Sequence, residues 1–381
     1  MKILAVDIGT GTMDVLLADT RLDVENSYKL ILPSPTMQIL RQIQQATRDR
    51  VDILLTGRLM GGGPSGWATD AHLKAGCRVF AIPEAARSFN DDLEKIREMG
   101  IVVVSEDEAA ALPSTVQRIE MCDFDYASIA GVFTRFGVDL GNLAAVAVSV
   151  FDHGNAPASV SDRKFRFDYL DSRIRTSNHL STFAFRSEEI PSIMTRLQAV
   201  ADSTGDVPVP LVVMDSAPAA VLGAMFDHQV RGWDKKIMLN AGNLHTLAFR
   251  MNGEKIEGVF EHHTGFLDRG KLESLLARLA EGTITNEEIF KDHGHGALSY
   301  APDAWSLTDG SSPLVVTGPR RSLLDGSVLH PYTAVPFGDM MTSGCVGLLA
   351  AAAELLPDIV GPVMQALNPT AERRLAPWDV D

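Results

Sequence analysis

Cysteine is scarce: Cys77, Cys122 and Cys345 are the only three, far apart and without a Cys-x-x-Cys pair. That excludes a disulfide framework and fits a reducing, cytoplasmic setting. Long apolar runs are missing too. Nothing approaches the roughly 20 residues of a membrane span. The nearest stretch, Val346 to Leu356, is short and Ala-rich, as in a buried helix. Basic residues are outnumbered, 34 Lys and Arg against 49 Asp and Glu, for a net charge of −15. Nucleic acid would be repelled by such a surface. A small phosphate ligand would not, because backbone amides create their own local field. The chain opens on a core strand, which speaks against a leader peptide. At 381 residues, 45% hydrophobic and 22% charged, it suits two globular domains of ordinary size.

The richest stretch is Lys2 to Asp19. An apolar strand delivers Asp7 into the turn Gly9-Thr10-Gly11-Thr12, and a second alternating strand, Met13 to Ala18, leaves it. Gly9 and Gly11 let backbone N–H groups approach an anion, and Thr10 and Thr12 add hydroxyl donors. Asp7 is a hard oxygen ligand suited to Mg2+. Such a hairpin is a phosphate-gripping device. The chain nearly repeats it: aligning Leu4-Ala-Val-Asp-Ile-Gly with Ile237-Met-Leu-Asn-Ala-Gly puts Asn240 on Asp7 and Gly242 on Gly9. The second copy continues through Asn243-Leu-His to a hairpin turn at Asn252-Gly253.

The order of motifs resembles the sugar kinase, heat-shock-70 and actin superfamily of ATP-binding proteins. Asp7 to Thr12 is similar to its first phosphate motif and Leu239 to Thr246 to its second. Val213 to Ala224 resembles the first connecting helix, Leu314 to Arg320 stands at the adenosine motif, and Met341 to Ala353 resembles the second connecting helix. The resemblance is silent over roughly Arg58 to Ser203. It implies a two-domain α/β fold of ribonuclease-H-like, actin-like ATPase type, with mixed five-stranded sheets flanked by helices and a nucleotide cleft between them. The boundary falls between residues 1–230 and 231–381. It implies ATP and Mg2+ as cofactors, held by Asp7, Gly9, Thr10, Gly11, Thr12, Asn240, Gly242, Asn243, Gly318 and Arg320, with Asp7 as the metal ligand. Asn240 departs from the pattern, since an acidic residue is usual there. Asn243-Leu-His is also bulkier than the Gly-Gly pair expected.

More narrowly, the turns Asp152-His153-Gly154 and Glu261-His-His-Thr-Gly265 resemble a bacterial and archaeal family labelled putative pyruvate formate-lyase activating enzyme. A radical-generating activase needs closely spaced cysteines for an iron–sulfur cluster, and these residues do not supply them.

Three constellations invite a chemical role. Asp215 ends an apolar strand before a small-residue helix. The resemblance makes it a general base, while its position equally suits an N-cap. Asp152 and His153 also end a strand, where ligand sites gather in open α/β sheets, and either shuttle protons or form a simple turn. Glu261, His263, His293 and His295 include metal-ligand types, but their spacing lacks paired short loops, so no structural metal is expected in those segments. Arg320 either contacts the nucleotide or is solvated.

Elsewhere, the pattern predicts a helix over Pro83 to Met99, a half-exposed strand over Asp162 to Asp168, and a helix over Ser187 to Ala201. The glycine-dense run Gly61 to Gly66 reads as a loop. The functional expectation is an ATP-binding protein that either transfers a phosphoryl group to a small molecule or hydrolyses ATP for a partner enzyme. A non-catalytic sensor of nucleotide or metabolite is the alternative, and homo-oligomerisation stays open. Neither nucleic acid nor membrane is an expected partner.

Overall fold

A computed structural model describes residues 1–381 apart from 158, 206, 208, 302, 308–312, 369–374 and 381. The chain opens with β1 (Lys2–Ile8), β2 (Thr12–Asp19) and β3 (Tyr28–Pro33). Strands β4 (Ile53–Gly57), β5 (Val79–Ala81), β6 (Val102–Val103) and β7 (Gln117–Met121) follow. They form a separate, all-parallel sheet in the order β6-β5-β4-β7. The chain then returns to the first sheet with β8 (Leu143–Val150), β9 (Ala184–Arg186) and β10 (Leu211–Asp215). That sheet runs β3-β2-β1-β8-β10-β9. The second half supplies β11 (Lys235–Ala241), β12 (His245–Asn252), β13 (Lys255–His263), β14 (Gly296–Ser299), β15 (Leu314–Thr317) and β16 (Tyr332–Thr333). Its sheet runs β14-β13-β12-β11-β15-β16.

The two large sheets are copies of one plan. In each, an antiparallel three-strand meander is followed by two parallel strands added beside its first strand. This is the duplicated ribonuclease-H-like, actin-like ATPase architecture that the motifs imply. The expected five-stranded sheets each carry a sixth, antiparallel edge strand, β9 on one and β14 on the other. The small parallel sheet has a core of its own, built on Ile43, Ile53, Leu55, Val79, Ala81 and Ile119. It fills the region over which the family motifs are silent.

Two helices pack across the middle of the molecule, Ser216–Ala224 and Ser343–Leu355. Residues Ser343 to Ala353 are all buried, so this helix carries apolar side chains on every face, as a central helix must. The helices cross at glycines. A Cβ built on Gly223 would collide with the Ser343 carbonyl oxygen, and one on Gly347 with the Ala219 carbonyl oxygen. Only hydrogen at both positions allows the backbones to approach so closely.

Several local expectations change. Asp162–Thr176 is a helix, not a strand. Its buried residues Arg166, Phe167, Leu170 and Ile174 follow helical spacing, and the apparent alternation covered too short a window to reveal it. The helix expected over Pro83 to Met99 is two, Pro83–Ala86 and Leu93–Glu98, because Asp92 caps a new start by accepting from the Glu94 amide. The Ser187 to Ala201 segment is a short 3-10 turn followed by a helix at Thr195–Ser203. The glycine run is partly helical: Gly63–Lys74 is a helix whose first turn contains Pro64.

Gly223→Ala and Gly347→Ala are each expected to destabilise the protein by about 3 kcal/mol, read by chemical denaturation. Gly361→Ala, a helical glycine with open space around it, is the control and is expected to be neutral or stabilising.

Candidate functional site

The two phosphate-type turns are closed in the same way. The Gly9 amide donates to the Thr12 carbonyl at 2.9 Å, and the Gly242 amide to the His245 carbonyl at 3.0 Å. The repeat legible in the sequence is therefore a repeat of backbone geometry. The turns also meet: a Cβ on Gly11 would stand 2.5 Å from Asn243 Nδ2.

Between them lies a cavity of about 390 Å³, lined on one side by Asp7 to Thr12 and on the other by Asn240, Gly242, Asn243 and Gly318. That volume falls within the roughly 300–1,000 Å³ of small-molecule sites. Both central helices begin at its wall, through Ser216 and through Ser343 and Gly344. Helix N-termini favour anions. Asp152 and His153 also line the cavity, so most of the residues singled out in the sequence converge. Arg320 does not. It is exposed and outside the lining, with its amide bonded to the Ala241 carbonyl at 2.9 Å.

Asp7 is buried and accepts from Ser149 Oγ at 2.6 Å and Ser216 Oγ at 2.8 Å. Burial raises its pKa, against the lowering effect of those hydroxyls. Directly across the β1–β2 pair stands Asp14, also buried and on the cavity wall. Like charges at such a register are unfavourable. Burial, then the charge of Asp7, pushes Asp14 up to about 8, and among the described residues its Oδ1 has no hydrogen-bond partner. Asp14 was missed in the sequence, although an acid inside an otherwise apolar strand was the available signal. Two adjacent carboxylates with an orphaned oxygen fit a hard divalent cation such as Mg2+.

Asp215 takes the N-cap position that its place in the sequence suits. It is absent from the cavity lining and caps its helix, accepting from the Ala217 amide at 3.3 Å. Its other oxygen receives Arg166 Nη1 at 2.6 Å. Arg166, 1% exposed, also donates to Glu261 Oε2 at 2.8 Å and to the Asp152 carbonyl at 2.8 Å. Asp152 accepts three backbone amides through its carboxylate, from Gly154, Arg196 and Leu197. Both acids thus carry structural hydrogen bonds, Asp152 while lining the cavity. Arg196 pairs with Asp123 through Nε at 2.7 Å and Nη2 at 3.0 Å, a fork that anchors the small sheet to the cleft.

Of the histidines, His293 is exposed on a positive-φ turn and stacks on the Phe266 ring at 5.1 Å. His295 is buried and stacks at 5.6 Å from His153, with His245 at 4.9 Å and His263 at 4.7 Å. Burial, then the charges of Arg166 and Arg196, lowers His153 to about 3, so its ring is neutral at pH 7. Burial and neighbouring rings lower His245 and His295 as well.

Residues 60–323 match the family described as "Putative pyruvate format-lyase activating enzyme (DUF1786)". The chain belongs to that family. The match contains the second phosphate turn and His153, His245, His263, His293 and His295 but not Asp7 to Thr12 or the helix at Ser343–Leu355. Members' description implies an iron–sulfur cluster, and the thiols do not fit one: Cys77 precedes β5, Cys122 follows β7, and Cys345 lies buried in a central helix. No curated protein matches by sequence.

Several solved structures resemble the chain over most of its length. A putative N-acetylmannosamine kinase from Listeria monocytogenes is 12% identical, covering 93% of this chain and 99% of that one, with a TM-score of 0.35. The activator of the 2-hydroxyisocaproyl-CoA dehydratase from Clostridium difficile, with bound ADPNP, is 8% identical over 98% and 100%, at 0.34. A ROK hexokinase from Thermus thermophilus is 12% identical over 94% and 100%, at 0.31. The fold assignment rests on the strand order of this chain itself.

The Asp7–Asp14 pair sets a pH dependence. Asp14 has a raised folded pKa, so the folded state holds a proton that the unfolded chain has lost. Stability of the cation-free protein should fall as pH rises from about 4, the ordinary carboxylate value, to about 8, and then level. Thermal melts in EDTA are expected to show this decline, Asp14→Asn to flatten it, and millimolar Mg2+ to offset it most at high pH. A pH profile unchanged by Asp14→Asn would contradict the pairing.

Proposed function

We propose that the chain binds Mg·ATP in the cleft and uses it to drive a conformational change, acting as an ATPase-type switch on a partner. The observation that supports this most is the pair of identically closed turns meeting at Gly11 and Asn243 across one cavity. Residues 1–230 and 231–381 would be the two units that close on the nucleotide. The amides and hydroxyls of Gly9 to Thr12, with Gly242 and Asn243, would hold the phosphates, and Gly318 would lie by the nucleoside. Asp7 and Asp14 would hold Mg2+, which supplies positive charge to the phosphate oxygens. The starts of the two central helices add their dipoles to the same anion.

A switch is favoured over a phosphotransferase because Asp215 and Asp152 are already engaged by Arg166 and by backbone amides. The cavity also reaches Arg87, Asn90 and Asp91 beside the inserted sheet. This favours a second reading, in which a small hydroxyl-bearing substrate occupies that end and accepts the phosphoryl group.

Calorimetry should detect adenine-nucleotide binding that strengthens with Mg2+. Asp7→Ala is expected to weaken the Mg2+-dependent part at least tenfold, more than Asn243→Ala does. Absence of binding at millimolar ATP would refute the reading. Asp215→Asn separates the two versions: the switch expects a stability loss of about 2 kcal/mol from the weakened Arg166 bond with turnover retained. Abolished turnover in a stably folded variant would favour the phosphotransferase.

A further inference from the structure

We infer that His153, His245 and His295 form a binding site for a divalent transition-metal ion, of the class that zinc represents. Among the described residues these three are the group of metal-ligand side chains whose donor atoms all lie within 4.8 Å of one another. They come from three separate places: the turn after β8, the first residue of β12, and the approach to β14. Local sequence spacing could not have shown this set, which differs from the Glu261, His263, His293 and His295 grouping; the inference runs against the sequence expectation of no structural metal in those segments.

His295 gives an independent reason. It is 1% exposed, yet among the described residues neither ring nitrogen has a hydrogen-bond partner. A buried imidazole without partners is costly unless something else occupies its lone pair. Its Nδ1 lies 3.5 Å from Glu261 Oε1, itself without a partner. A carboxylate on the Nδ1 side leaves Nε2 for the metal, the usual outer support of a histidine ligand.

Neutral imidazoles are the right donors, and they suit zinc, iron, copper or nickel better than Mg2+. Tetrahedral zinc requires donor separations of about 3.3 Å, so the rings would close by roughly 1.5 Å at most.

Three protein ligands leave one coordination position open. His153 and His245 line the cleft, so that position faces it. His245 also closes the second phosphate turn, and His153 belongs to the first half of the chain. A bound ion would therefore tie the two halves together beside the nucleotide cleft. The inference does not depend on nucleotide binding.

The test uses the full-length protein without an affinity histidine tag, stripped with chelator and titrated with Co2+ and then Zn2+ in excess Mg2+. One equivalent of Co2+ is expected to give visible bands of tetrahedral or five-coordinate type, displaced by Zn2+. His153→Asn and His245→Asn, both at half-buried positions, are expected to lower Co2+ affinity about 100-fold or more. Glu261→Gln should lower it about 10- to 100-fold. His293→Asn should leave it unchanged. Melts in EDTA establish that each variant is folded, and only folded variants are scored. Should His295→Asn unfold, the other two ligand variants decide. Absence of bands in the native protein would overturn the site, as would bands unchanged in both His153→Asn and His245→Asn or lost equally in His293→Asn. ATP binding by a protein that fails this test would leave the nucleotide reading standing.

Discussion

The contact on which the rest depends is the crossing of the two central helices at Gly223 and Gly347. Side chains of any size there would push the helices apart, because each glycine faces a carbonyl oxygen of the other helix. Their closeness fixes where the helices begin. Ser216 reaches Asp7, and Gly344 lies against the Asp7 carboxylate with no room for a Cβ. The separation of the two sheets, the width of the cleft and the surroundings of its main acid thus follow from one packing contact. A movement of either helix would be felt at Asp7.

A second constraint is electrostatic. Arg166, from a helix in the first half, joins Asp215 at the start of a central helix to Glu261 on β13 of the second half. Burying one guanidinium between two carboxylates is stabilising only when its hydrogen bonds are well made, and such networks hold a unique arrangement more than they add stability. Its guanidinium also lies 3.9 Å over the Phe151 ring, which stacks on His245 at 4.1 Å. The charge network, the histidine cluster and the second phosphate turn therefore form one contiguous body.

The duplicated architecture and the phosphate turns were legible because their signals are local. A strand, a Gly-containing turn and a second strand occupy eighteen consecutive residues, Lys2 to Asp19 and again Lys235 to Asn252, and hydrogen bonds from one residue to the third beyond it close each turn. Asp7, Gly9, Gly242 and Asn243 could be named for that reason. The central helices announced themselves by small residues with no polar face. Less was legible between Arg58 and Ser203, where an inserted parallel sheet has its own core. There a short alternating stretch, Asp162 to Asp168, looked like a strand only because its window was shorter than two helical turns.

What the sequence determined was therefore the set of local devices and their order along the chain. Only the tertiary structure decided which side chains meet. Asp14 became the neighbour of Asp7 through cross-strand register, and Asp215 was joined to an arginine 49 positions earlier in the chain. His295 left its sequence neighbour His293 in solvent and joined His153 and His245 from distant segments. The physical reason is the same in each case. Periodicity and turn chemistry are encoded over a few residues, whereas charge pairing and metal-ligand geometry depend on distances that only the packed chain sets.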